Sequence, residues 1–422
     1  RSCNLCEAMC GVAIETDGDR VVSVRGDDRD PFSKGYICPK ATSLADIHHD
    51  PDRLRRPLRR KGRDFEEIDW ETALDEVAAR LVEIRKTHGR RAVAVYLGNP
   101  TIHNLGATLY SQIFQQVLGS HSKFSATSVD QLPRMLTALQ LYGHQLLMSV
   151  PDIDRTDLFV AFGANPAVSN GSLMSAPGMR HRLAEVRKRG GRVVIFDPRR
   201  TETADLADEH HFIRPGSDAL ALLGILHTVF DENLVRLGRL ASMVKSLDAL
   251  RALTKDFSPE RTAAATGVSA DVVRRVAREL ARTPRAALYG RVGVSVQEFG
   301  GLATWLVEVI NLVTGHLDEE GGMMFTTPAA DTVKLATLFG QRGHFNKFKS
   351  RVRGAPEFGG ELPVSCLAEE IETEGDGRIR ALVTHAGNPV LSTPNGRRLD
   401  AALAQLDFMV SIDIYLNETT RH

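Results

Sequence analysis

The sequence predicts an α/β protein built on parallel sheets, preceded by a small β-rich unit that holds a metal centre through cysteines. Two observations carry this. Short apolar runs such as Val93-Ala94-Val95-Tyr96-Leu97 and Leu158-Phe159-Val160-Ala161-Phe162 alternate with longer stretches of helical periodicity, the pattern of strands buried on both faces and joined by crossover helices. Cys3, Cys6 and Cys10 crowd into the start of the chain and Cys38 follows within Ile37-Cys38-Pro39-Lys40. That C-x2-C-x3-C…C arrangement lets four thiolates converge, as an iron–sulfur cluster or a structural zinc requires.

Disulfides are the weaker reading, because a chain of 422 residues has core enough to need no staples. Zinc sites usually repeat the two-residue gap in their second pair, and this one does not. Cys366, in Val364-Ser365-Cys366-Leu367, reads as a buried apolar thiol.

In chain order, residues 12–15 and 21–24 form two short strands around the turn Thr16-Asp17-Gly18-Asp19. The basic run over 53–60 lacks interleaved aromatics and reads as a charged, solvated linker. Asp69 caps a helix whose apolar positions are Trp70, Ala73, Leu74, Val77 and Leu81. Strands are expected over 92–98, 158–163, 193–197, 286–290, 381–385 and 409–413, with helices near 172–189, 218–230 and 299–313, which is enough for two α/β halves. Fifty-three basic and fifty-three acidic residues cancel, so no global field favours nucleic acid. Apolar content is 42%, and no run reaches the length of a membrane helix.

The apolar strands end in turns of similar chemistry: Gly163-Ala164-Asn165-Pro166, Asp197-Pro198-Arg199-Arg200, Gly290-Arg291-Val292-Gly293 and Gly387-Asn388-Pro389, with Pro215-Gly216-Ser217-Asp218 beside them. Ligands of open α/β sheets bind outside the carboxyl ends of the strands. Small residues there admit phosphates to backbone N–H groups, and Asp197, Asp218 or Asp413 can accept from a purine or ribose. Neither a phosphate-binding G-x-x-x-x-G-K-[ST] loop nor a strand–G-x-G-x-x-G–helix fingerprint is present.

Together the cysteine quartet, Cys38-Pro39-Lys40, Phe162-Gly163-Ala164-Asn165-Pro166, Asp197-Pro198-Arg199-Arg200-Thr201-Glu202-Thr203-Ala204 and Gly216-Ser217-Asp218 resemble the molybdopterin oxidoreductases of the dimethyl-sulfoxide-reductase superfamily. In pattern they are similar to formate dehydrogenase and nitrate reductase catalytic subunits, over essentially the whole chain. The resemblance implies a [4Fe–4S]-binding domain over residues 1–60. It also implies a core over 61–420 made of two interleaved Rossmann-like α/β subdomains, with the family's C-terminal dinucleotide-binding domain missing. It implies a [4Fe–4S] cluster on Cys3, Cys6, Cys10 and Cys38, and molybdenum or tungsten bound by two molybdopterin guanine dinucleotides. Lys40 matches the family lysine between cluster and pterin, where an ammonium can hydrogen-bond both. Gly163, Asn165, Pro166, Asp197, Pro198, Arg199, Gly216, Ser217 and Asp218 match cofactor-binding positions, as do Gly293, Asn388, Pro389 and Asp413.

The family's protein ligand to the metal lies in the segment before Gly163, here Ser128-Val129-Asp130-Gln131-Leu132-Pro133-Arg134. Matching the proline places Asp130 at the ligand and Gln131 where formate dehydrogenases carry a histidine, with Ser128 as the second choice. Oxygen ligation suits a hard, high-valent metal. The alternative for Asp130 is a helix cap. The position matching the formate dehydrogenases' substrate arginine is Trp305, which speaks against formate. His121 and His144 are unranked acid–base candidates.

The expected activity is a two-electron oxidation or reduction of a small molecule, by oxygen-atom transfer or hydroxylation, with electrons leaving singly through the cluster to a redox protein or an iron–sulfur or flavin subunit. Formate dehydrogenase, a non-catalytic electron-transfer subunit of the same fold and a non-redox hydratase are the rivals. A cytoplasmic location, with no nucleic-acid partner and no membrane span, completes the expectation.

Overall fold

The computed structural model describes all residues, Arg1 to His422. The chain folds as two compact units, one formed by Arg1–Val129 with His344–His422 and the other by Asp130–Gly343.

The first unit opens with the antiparallel pair β1 (Val12–Asp17) and β2 (Arg20–Gly26), turned at Gly18 in the left-handed region. The basic run is part of a second hairpin, β3 (Leu58–Lys61) with β4 (Asp64–Glu67). Arg59 there donates to Glu76 at 2.6 Å, while Arg60 donates to the Gly62 carbonyl at 2.9 Å, so the linker reading fails over its second half because that half is a paired strand with engaged arginines. The helix Trp70–His88 is capped as expected, the Asp69 carboxylate accepting the Thr72 N–H at 2.8 Å. Its packed stripe runs through Val77, Leu81 and Ile84, while Trp70 and Leu74 stay 65% and 63% exposed. Periodicity finds the apolar stripe of a helix but not how much of its length the sheet covers. Strands β5 (Val93–Leu97) and β6 (Lys123–Ser125) pair in parallel.

The second unit contains β7 (Ser149–Pro151), β8 (Leu158–Phe162), β9 (Arg192–Phe196), β10 (Glu209–His211), β11 (Ala286–Gly290) and β12 (Met323–Phe325). Four of these form a parallel sheet in the order β10-β9-β8-β11. Leu158, Val160, Phe162, Val194 and Leu288 pack into one apolar cluster; Phe159, Ala161, Val193, Ile195 and Tyr289 pack into another. Alternate residues therefore bury opposite faces, which is why these strands read as unbroken apolar runs. The helices Asp218–Asp231 and Gly300–Val313 cover the first face. The helix expected near 172 starts only at Met179, after Pro177-Gly178. Asn170, Gly171, Ser172 and Ser175 before it are all left-handed, which an α-helix does not tolerate, and only a single 3-10 turn forms over Ser172–Met174.

Back in the first unit, β13 (Phe345–Lys349) and β14 (Pro356–Phe358) form a hairpin, and β15 (Ala381–His385) and β16 (Phe408–Ile412) join the first sheet. Its order is β16-β15-β5-β6, all parallel. Both sheets thus reverse strand order once, between β8 and β11 in one unit and between β5 and β15 in the other. The carboxyl ends at such a reversal are where open α/β sheets leave a ligand crevice.

Candidate functional site

The four N-terminal cysteines are free thiols in one apolar cluster with Ala8, Val12, Ile37 and Ala41. Backbone bonds shape their loop: the Cys3 N–H donates to the Cys10 carbonyl at 2.8 Å, and Met9 takes a left-handed φ of 51° between Cys6 and Cys10. The segment carrying Cys38 returns because two glycines touch. A Cβ on Gly26 would stand 1.8 Å from the Gly35 carbonyl oxygen, and Gly35 has a φ of +82°. Burial pushes the Cys10 thiol up to about 11, with the nearby Cys3, Cys6 and Cys38 adding to the effect. Burial also raises Cys3, against which the Lys40 ammonium acts in the opposite sense. Thus Lys40, exposed on the short helix Pro39–Thr42, lies within electrostatic reach of the quartet. No three His, Cys, Asp or Glu side chains converge on the position of a single ion.

At the carboxyl ends of β8 and β11 the chain backs onto itself. The Gly293 N–H donates to the Gly163 carbonyl at 3.0 Å, and a Cβ on Gly293 would stand 2.8 Å from that oxygen. Beyond β9, Asp197 accepts the Arg199 N–H at 2.9 Å, while Pro198 and Arg199 are exposed. Ser217 and Asp218 begin a helix with Gly216 at φ +81° facing open space. Asp218 is 5% exposed; burial raises its pKa, the Gln297 amide bound at 2.8 Å opposes that, and Asp197 adds to it. Asp197 is likewise raised by burial.

Asn165 is held by a device that recurs elsewhere. Its amide donates to Glu202 at 2.7 Å and its oxygen accepts the Thr203 hydroxyl at 2.7 Å. In the other unit, the Asn388 amide donates to Glu418 at 2.8 Å and its oxygen accepts the Thr419 hydroxyl at 2.6 Å. Each Asn precedes a buried proline, Pro166 or Pro389, and each threonine is fully buried. Two Glu-Thr dipeptides, Glu202-Thr203 and Glu418-Thr419, were the available sequence signal. Asp413, after β16, accepts the Ile414 N–H at 2.7 Å. In the same unit Gly98, before Asn99-Pro100, meets Ala386: its Cβ would stand 1.8 Å from the Ala386 carbonyl oxygen. That Gly-Asn-Pro turn repeats the chemistry of the others and was missed among the candidates.

Asp130 does not cap its helix. The N-cap of Leu132–Tyr142 is Gln131, without a side-chain bond, and Asp130 instead accepts from Arg291 at 2.6 Å. Gln131 turns to its own helix, its amide 3.7 Å from the Met135 sulfur. The Ser128 hydroxyl is engaged elsewhere, accepting the Val364 N–H at 2.9 Å. His144 is buried, and desolvation lowers its pKa. Trp305 is partly buried and packs against the apolar core. In this unit Arg291 Nε, Asn170 Oδ1 and Gln297 Oε1 are buried polar atoms without partners, and buried polar groups left open call for a ligand or water.

A parallel α/β core with close glycine contacts at its strand reversals, together with a four-thiol unit, defines a cofactor-dependent redox protein. The chain belongs to the molybdopterin oxidoreductase family: that family's model matches residues 53–422, and the family's Fe4S4 domain matches residues 2–50. It is 27% identical to the thiosulfate reductase molybdopterin-containing subunit of Salmonella typhimurium, over 100% of this chain and 56% of that protein. It is 28% identical to a nitrate reductase of Symbiobacterium thermophilum, over 99% and 58%, and 24% identical to formate dehydrogenase H of Escherichia coli, over 99% and 60%. The chain thus spans somewhat over half the length of these relatives. Among solved structures, acetylene hydratase from Pelobacter acetylenicus superposes with a TM-score of 0.83 at 19% identity, covering 100% of this chain and 61% of that one. The family's cofactors, molybdopterin with its metal and a [4Fe–4S] cluster, fit the residues present: four clustered thiols for the cluster, and unfilled polar atoms beside side-chain-free turns for a pterin nucleotide. No helix is long and apolar enough to cross a membrane.

Proposed function

We propose that this chain is the catalytic part of a molybdenum or tungsten oxidoreductase carrying two molybdopterin guanine dinucleotides and a [4Fe–4S] cluster. The observation that carries this is the repeated Asn–Glu–Thr device, which stands beside a strand-end turn in each unit. Two copies of one device suit two copies of one ligand. When bound, the metal supplies a two-electron exchange with a small substrate and the cluster passes electrons singly.

The chain's own residues have distinct tasks in this reading. Cys3, Cys6, Cys10 and Cys38 hold the cluster, and Lys40 bridges it electrostatically to the pterin. Gly163, Asn165, Pro166, Asp197, Pro198, Arg199, Gly216, Ser217, Asp218 and Gly293 line one nucleotide site, and Asn388, Pro389 and Asp413 the other. The carboxylates of half-buried Asp197 and buried Asp218 accept from N–H groups of the base, which offsets their desolvation. Asp130 is the protein ligand of the metal, with Gln131 beside the substrate. The remaining metal ligands would come from the pterin dithiolenes. The engagement of Ser128 with Val364 favours Asp130 over it.

Oxygen-atom transfer is preferred to formate oxidation, because the position that the resemblance matches to the formate dehydrogenases' substrate arginine is Trp305, which offers no cation to a small anion. The retained turns argue against an electron-transfer subunit without the pterins. The electron partner is a redox protein or an iron–sulfur or flavin subunit. Oxidation of reduced methyl viologen, followed with nitrate, thiosulfate and other oxyanions and with formate in the reverse direction, tests this. Turnover is expected with an oxygen-donating acceptor; turnover of acetylene without any electron carrier would instead favour the hydratase.

A further inference from the structure

Arg291 follows the last residue of β11 and is buried, its side chain 8% exposed. One guanidinium nitrogen donates to Asp130 Oδ1 at 2.6 Å and the other to the Ser172 hydroxyl at 2.8 Å. Nε is buried and bare. Asp130 is 42% exposed at its side chain, and its second oxygen makes no hydrogen bond within the protein.

The pair sits in a closed circuit. Arg134, in the first turn of the helix that Asp130 precedes, donates to the carbonyl of Gly290, the residue before Arg291, at 3.4 Å and pairs with Glu308 at 3.2 Å. Its guanidinium lies over the Tyr289 ring, 5.4 Å from the centroid, and the Tyr289 hydroxyl donates at 2.8 Å to the carbonyl of Gly171, next to Ser172. Asp130, Arg291, Ser172, Tyr289 and Arg134 are thus locked to one another. Ser172 is left-handed, strain of the kind that collects at functional sites.

Stability alone is a poor reason for this arrangement. Burying a guanidinium costs several kcal/mol, and a half-exposed carboxylate is a weak return for it. The arrangement instead does what partners of metal-binding carboxylates do, which is to fix one oxygen and orient the other. We propose that Arg291 is a positioning residue that presents Asp130 to the metal through its free oxygen and, by drawing charge through Oδ1, weakens it as a donor. This rests on the reading of Asp130 as the ligand. Removing Arg291 then leaves a stronger donor and one positive charge fewer, so the oxidised metal gains.

The test is electron paramagnetic resonance with redox titration of the purified holoenzyme carrying Arg291→Met, Arg291→Lys or Ser172→Ala, with Asp130→Asn as reference. The expected result is retained metal and pterin, altered g-values, and a lower midpoint potential for the metal with an unmoved cluster potential, largest in Arg291→Met and smallest in Ser172→Ala. Should Arg291→Met fail to fold, the Arg291→Lys and Ser172→Ala proteins decide the matter. Parent-like spectra and potentials in these variants, while Asp130→Asn changes them, overturn the proposal and leave the ligand assignment standing. An unchanged spectrum in Asp130→Asn removes the assignment and the proposal with it.

Discussion

The Thr203 hydroxyl donates to the Asn165 side chain at 2.7 Å and accepts the Ala167 N–H at 3.0 Å. Thr419 serves Asn388 and Val390 in the same way, at 2.6 and 3.2 Å. One buried hydroxyl thus satisfies a backbone donor just past the proline and fixes the asparagine. Thr203→Val keeps the shape and orphans both partners, so it is expected to cost about 1–3 kcal/mol, whereas Thr203→Ser stays near the parent. Urea unfolding checks this; a valine variant as stable as the parent would show that the bond is incidental.

Arg134 and Glu308 are each about 2% exposed, and Glu308 also accepts from Tyr142 and Ser149, both at 2.7 Å. Arg134→Met or Glu308→Leu alone leaves an uncompensated buried charge, expected to cost about 3–5 kcal/mol. The double variant should lose less than the sum of the singles. Strict additivity in a double-mutant cycle would contradict the pairing.

Asp218 gives the pH dependence. Burial raises its folded pKa above the ordinary 3.8, so the neutral form is the one folding prefers. That advantage is complete below the unfolded value and is lost as pH rises through the folded one. At neutral pH the ionised carboxylate is a liability in the cofactor-free protein. Asp218→Asn is therefore expected to raise the melting temperature at pH 7, with the gain shrinking as pH falls into the carboxylate range, and to retain less nucleotide cofactor. An equal melting temperature at every pH would show that the carboxylate carries no such penalty.

Cys38 reaches the other thiols through the Gly26–Gly35 contact. Cys38→Ser is expected to lose most of the iron and the broad visible absorption of the cluster after anaerobic reconstitution, whereas Cys366→Ser, altering a thiol buried outside the quartet, keeps both. Equal iron in the two variants would remove Cys38 from the ligand set.

Strands β5, β8, β9, β11 and β15 were legible because burial on both faces leaves an unbroken apolar run, β16 because its half-buried run is of the same composition, and the turns after them because glycine and proline punctuate such runs. The cysteine quartet was legible from spacing alone. Arg291 was not: it lies 161 residues from Asp130 in sequence, and a single arginine after a strand carries no periodic signal. The late start of the helix at Met179 escaped because apolar residues over 172–178 fit a helical pattern while their left-handed backbone does not. The chain's single excursion, leaving one unit after Val129 and returning at His344, depends on pairing between β5 and β15, which local sequence does not encode.

The most direct test is metal analysis of the protein purified from cells supplied with both molybdate and tungstate. The account predicts molybdenum or tungsten stoichiometric with the polypeptide, together with iron and two guanine nucleotides released on denaturation; iron alone, with neither metal nor nucleotide, would contradict it.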